Sequence, residues 1–139
     1  MLVDIHTHIF PPSFIKARKT LIKTEEQFSE IYADPNAKMA TAKDLLDSMS
    51  TAGVDISVAC GFWWSDVSLA QEHTDYLIAV GRESQESSVS RIIPFVPMQT
   101  SDPSNFTLGV GELRKNQRTD LGLVNDLRGV VLVHVSEEV

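Results

Sequence analysis

Residues 41–60 read TAKDLLDSMSTAGVDISVAC. Thr41 stands where a helix N-cap belongs, and Leu45, Leu46, Met49 and Ala52 follow at helical spacing. Gly53 occupies the place where a helix ends on a left-handed residue. Residues 54–60 then alternate, with Val54, Ile56 and Val58 on one face, which is the period of a strand. One unbroken stretch thus predicts a helix, a glycine stop and a strand, the repeating unit of an α/β fold.

Working outward, the same rhythm continues. Residues 2–7 read as a first strand, with Val3 and Ile5 alternating with Asp4, His6 and His8. Phe10-Pro11-Pro12 is expected to stop regular structure, and Thr24-Glu25-Glu26-Gln27 to form a capping box opening a short helix towards Tyr32. Asp34-Pro35-Asn36 breaks that helix. Beyond residue 60, Ser65 or Asp66 caps a longer helix carrying Leu69, His73, Tyr76, Leu77 and Val80. Residues 91–97 read as a third strand, to which Pro94 is a mild objection because it lacks a ladder donor. Asp102-Pro103 starts a short helix, residues 108–113 form a fourth strand, 119–128 a short helix, and the apolar run VVLVHV at 130–135 a fifth strand. Strands alternating with helices imply parallel pairing with right-handed crossovers.

A chain of 139 residues, 42% hydrophobic and 22% charged, has the size and composition of one globular domain. Twelve Lys and Arg against 19 Asp and Glu leave a net charge of −7, spread over both halves. No basic face is present to recruit nucleic acid or an anionic membrane, so a small ligand is the expected partner. A single cysteine, Cys60, cannot form an intramolecular disulfide and points to a reducing compartment. MLVDIHTHIF has no basic region before an apolar core, and no apolar run approaches the roughly 18–20 residues of a membrane span. The expected location is the cytoplasm.

The residues able to carry chemistry cluster at strand ends. His6 and His8, two apart on a strand, send both imidazoles from one face and make half of a zinc-type coordination shell. Four histidines in 139 positions produce such a pair by chance only about 0.1 times. His134 lies near the end of the fifth strand; a lone histidine there is more often a satisfied core or rim residue than a ligand. Glu112 ends the fourth strand after Gly109 and Gly111, and is either a metal-bound carboxylate or the partner of Arg114. Trp63 and Trp64 follow the second strand, where aromatic side chains line a substrate pocket or form a hydrophobic lid. His73, between Leu69 and Tyr76 on a helix, reads as a packing residue, and Cys60 as a small buried one. The sequence contains no P-loop, GxGxxG, GxSxG or CxxC motif.

VDIHTHIFPP, the stretch FSEIYADPNAKMATAKDLLDSMSTAGVDISVACGFWW, then HTDYL, RIIPFVP, VGELR and LVHVSEE resemble the amidohydrolase superfamily. They are most similar to its metal-dependent TIM-barrel hydrolases related to aminocarboxymuconate-semialdehyde decarboxylase. The resemblance runs over nearly the whole chain. It implies that His6 and His8 are the first-strand metal pair, that His134 is the metal histidine after the fifth strand, and that Glu112 matches a bridging glutamate of related branches. It also implies a divalent metal, zinc first with manganese or iron also suited, that activates water against an amide, ester or lactone-type bond.

The family's later histidine and its aspartate, the usual base, have no counterpart, which leaves the catalytic base unassigned. The expectation is therefore an incomplete TIM-type (β/α) barrel of about five parallel strands. Residues 1–139 form a single domain equivalent to the N-terminal portion of such an enzyme, truncated and with impaired turnover. A nonhydrolytic decarboxylase and an inactive metal-binding fragment are the competing readings. About five strands cannot close a barrel, so a homo-oligomer or a partner chain is expected to cover the open edges.

Overall fold

The structure is a computed structural model, and it describes residues 1–85 and 91–95. All of these lie in one compact unit, Met1–Pro97. The elements run β1 (Val3–Thr7), α1 (Pro12–Thr24), α2 (Glu26–Tyr32), α3 (Ala42–Ala52), β2 (Ile56–Cys60), α4 (Val67–Gln85) and β3 (Arg91–Phe95). The strands make one parallel sheet in the order β1-β2-β3.

The helix–glycine–strand unit forms as its residues dictate. Thr41 and Asp44 build a reciprocal capping box at the start of α3. The Asp44 carboxylate accepts from the Thr41 backbone N–H at 2.8 Å. Gly53 ends α3 at φ 69° and ψ 30°, and Val54 N–H reaches back to the Met49 carbonyl at 2.9 Å. A Cβ at Gly53 would meet nothing, so glycine is required there by the backbone conformation and not by space. Asp66 caps α4, accepting from Ser68 N–H at 2.7 Å and Leu69 N–H at 3.3 Å.

Two local expectations are corrected. Pro11 and Pro12 do not stop structure; Pro11 is the N-cap and Pro12 the first residue of α1. Proline at that position loses no helical hydrogen bond and has its φ already set. The capping box at 24–27 does not form. Thr24 belongs to α1, and its hydroxyl donates to the Thr20 carbonyl at 3.3 Å. Glu25 is the N-cap of α2 without a side-chain cap, because its carboxylate accepts from Ser65 N–H at 2.6 Å, 40 residues away.

The five-strand incomplete TIM-type barrel is also corrected: the described residues form an open sheet of three strands with four helices. Strict βα alternation fails at the first crossover, where α1, α2 and α3 all intervene between β1 and β2. Short apolar runs show strand propensity, but membership of a closed sheet depends on tilt and on continuous pairing around it, which propensity does not encode. The expected strands at 108–113 and 130–135, and the expected helices at 102 and 119–128, lie outside the described residues.

Two buried clusters hold the unit together. Ile9, Met49, Ala59, Leu77, Val80 and Ile92 pack as an aliphatic core joining the sheet to α3 and α4. Phe10, Phe14, Leu21, Phe28, Tyr32, Phe62 and Trp64 form an aromatic layer joining α1, α2 and the loop after β2. The Arg18 guanidinium ties α1 to the end of α2, donating to the carbonyls of Tyr32 at 2.8 Å and Asp34 at 2.7 Å. Pro94 meets the earlier objection by packing on α4: a Cβ at Gly81 would lie 2.6 Å from Pro94 Cγ, so only glycine lets the helix approach β3 this closely. Leu2, Val3 and Ile5 on and beside β1 are exposed. Among the described residues, no helix is long and apolar enough to cross a membrane.

Candidate metal centre

β1 ends at Thr7, and its register against β2 carries one irregularity: Asp4 pairs with Ser57 and Thr7 with Ala59. Three residues on β1 thus span two on β2, a bulge that re-aims the strand end. Thr7 hydroxyl fastens this end by donating to the Val58 carbonyl at 2.9 Å.

The two histidines converge there. His6 Nε2 lies 3.0 Å from His8 Nε2, and the rings meet edge to face with centroids 4.9 Å apart. His8 Nδ1 lies 3.0 Å from the Cys60 carbonyl, which can only accept, so Nδ1 carries the proton and Nε2 is bare. It follows that His6 Nε2–H donates to His8 Nε2. Burial holds the His8 pKa below its ordinary value, an effect the hydrogen bond to Cys60 opposes and neighbouring His6 reinforces. A carbonyl that fixes the tautomer and orientation of an imidazole is the usual support behind a metal-binding histidine.

Nitrogens 3.0 Å apart are close enough for one cation, at metal–nitrogen distances of about 2.0–2.1 Å, to touch both. The pair therefore fits half of a divalent-metal shell. Among the described residues, no group of three or more His, Cys, Asp or Glu is arranged to hold a metal. Burial raises the pKa of the Cys60 thiol, which keeps it protonated and a poor ligand. Glu112 and His134 lie outside the described residues.

The tryptophans part company. Trp63 is half-buried, whereas Trp64 is 1% exposed and packs in the aromatic layer against Phe14, Phe28 and Phe62. Phe62 contacts the candidate centre, its ring edge-to-face with His8 at 5.9 Å.

Sequence reasoning left His73 as a packing residue, and it is fully buried, but it is also fully bonded. Trp64 Nε1–H donates to His73 Nδ1 at 3.0 Å, and His73 Nε2 lies 2.8 Å from the Ile9 carbonyl. An indole N–H only donates and a carbonyl only accepts, so His73 is the neutral Nε2–H tautomer. Burial pushes its pKa down to about 4, with the Ile9 hydrogen bond opposing the shift. With both nitrogens engaged, it is not a third ligand. The one sequence signal for this role was a histidine on the apolar face of α4, since a buried polar ring must find partners.

Comparisons with family models, with curated proteins and with solved structures find no match to this chain.

Proposed function

We propose that the chain is a metal-dependent hydrolase acting on a small molecule, at an amide, ester or lactone-type bond, in keeping with its resemblance to amidohydrolases. The observation that carries this reading is the convergence of His6 Nε2 and His8 Nε2 at 3.0 Å, with His8 oriented from behind by the Cys60 carbonyl. Neutral imidazoles suit zinc first, and also manganese or iron. Such a cation supplies a lowered water pKa and a polarised carbonyl.

The chain's own residues hold and orient it: His8 offers a bare lone pair, and His6 offers the second once its Nε2 proton moves to Nδ1. Phe62 packs edge to face against the His8 ring. Glu112 and His134 are the proposed further ligands, and Trp63 the proposed substrate contact. The acidic balance favours a small substrate over nucleic acid.

The test has two parts. Zinc bound by the purified chain is measured against the His6→Ala/His8→Ala double variant; equal zinc in both overturns the site. Zinc-loaded protein is then assayed on activated esters and lactones. Slow zinc-dependent turnover lost in the double variant supports hydrolysis with impaired turnover, while zinc binding without any turnover overturns it in favour of an inactive metal-binding chain.

A further inference from the structure

His8 is followed immediately by a segment held from two sides. Phe10 N–H donates to the Ala40 carbonyl at 2.8 Å, and the Ile9 carbonyl accepts from His73 at 2.8 Å. His73 is in turn clamped: its ring stacks on Phe10 at 5.3 Å, lies edge-on to Trp64 at 5.8 Å, and takes the Trp64 indole proton on Nδ1. Ile9, Phe10, Trp64 and His73 are all buried. Packing would be satisfied by leucine at position 73, but leucine can neither accept from Trp64 nor donate to Ile9. A polar ring with two directional bonds at this depth is retained at a desolvation cost, so its directions matter.

We infer that His73 is a positioning residue for the His6–His8 pair: held in one tautomer by Trp64, it anchors the Ile9 carbonyl and thereby fixes the backbone from which His8 presents Nε2. The role rests on the proposal that the pair binds a metal. It connects two parts of the sequence read as separate, the histidine pair and the aromatic loop after β2. Trp64 thus serves the centre through His73 and the main chain, not by touching a ligand. Residues that orient a metal-binding histidine from outside typically change affinity by ten- to hundredfold when removed.

The experiment uses the full chain and two readouts. The first is the nitrogen resonances of the histidine rings without metal, which report the tautomer of His8 directly. The second is zinc affinity by calorimetry. In the wild type His8 is expected as the pure Nδ1–H tautomer. His73→Leu is expected to mix the His8 tautomers and to weaken zinc binding by about ten- to hundredfold. His73→Gln, whose amide can accept from Trp64 and donate to Ile9, is expected to restore both.

Trp64→Phe keeps the ring but deletes the donor. It is expected to release the His73 tautomer and to weaken zinc binding in the same direction, which keeps the test open if His73→Leu fails to fold. An unchanged His8 tautomer in folded His73→Leu, or in Trp64→Phe with a mixed His73, overturns the positioning role. Absence of zinc binding by the wild type overturns the metal reading instead, and the ring nitrogens still decide whether His73 orients His8.

Discussion

The exposed end of β1 and the aromatic layer beneath it use the same side chain in opposite ways. His6 is exposed and His8 half-buried, and their Nε2 atoms turn towards one point at 3.0 Å. His73 is fully buried, with one nitrogen accepting and the other donating. Burial lowers the pKa of both His8 and His73, but the two rings are held differently. For His73, burial excludes the proton and leaves no lone pair to offer. For His8, the Cys60 carbonyl holds the proton on Nδ1 and leaves the Nε2 lone pair facing the His6 ring. A histidine whose nitrogens are held by an indole N–H and a main-chain carbonyl holds structure; a histidine whose Nε2 meets only a second imidazole, able to move its own proton to Nδ1, is able to bind. Exposure alone does not separate the two cases, and the hydrogen-bond partners do.

The largest effect is expected in the buried region. Trp64→Ala removes a ring packed against Phe14, Phe28 and Phe62 together with the donor to His73. A loss of about 3–5 kcal/mol is expected in urea denaturation. A loss below about 1 kcal/mol would break the claim that this layer holds α1, α2 and the loop together.

Acid sharpens the comparison next. The folded pKa of His73 is about 4, below the 6.5 of an ordinary histidine. Above pH 6.5 both folded and unfolded chains are neutral at this site, and its contribution to stability is fully present. As pH falls from 6.5 towards 4, the unfolded chain takes up a proton that the folded chain refuses, and stability is lost until the folded ring also protonates. The loss amounts to about 3 kcal/mol. Denaturation of the wild type and His73→Gln across this range checks it: the steeper acid loss belongs to the wild type, and parallel curves would contradict the assignment.

A smaller effect of opposite sign is expected in the sheet between the two regions. Ser57 on β2 is fully buried, and among the described residues its hydroxyl oxygen has no hydrogen-bond partner. Ser57→Ala removes an unsatisfied polar atom and is expected to stabilise by about 1 kcal/mol. Destabilisation of that size would show that the hydroxyl has a partner in solution.

The smallest effect on stability is expected at the exposed end. His6→Ala is expected to change folding stability by less than about 0.5 kcal/mol while lowering zinc affinity. A stability loss comparable with that of Trp64→Ala would erase the distinction between the regions and make the pair structural.

Legibility in the sequence followed the range of the interactions. The Thr41 cap, the Gly53 stop, the Asp66 cap and the turn at Asp34, where Asn36 N–H donates to the Asp34 carboxylate at 2.8 Å, were all readable because their partners lie within a few residues. The His6–His8 pair was readable for the same reason. Helix α1 was missed because two adjacent prolines look like a break when the residues that bury Phe14 and Leu21 are out of view. The capping box at 24–27 failed because the Glu25 carboxylate found Ser65 instead.

The sequence by itself determined the helix and strand signals around residues 41–60, the parallel βα character, the acidic balance and the two histidines at the end of β1. Only the tertiary structure decided that three helices cross between β1 and β2, that the sheet of the described residues is open, and that Trp64 lies in the core. It also decided that the Cys60 carbonyl orients His8 across 52 residues and that His73 grips Ile9 across 64. Caps and periodicities are written in neighbouring residues, whereas the partner of a buried polar group is chosen by how distant elements pack, and no local pattern encodes that choice.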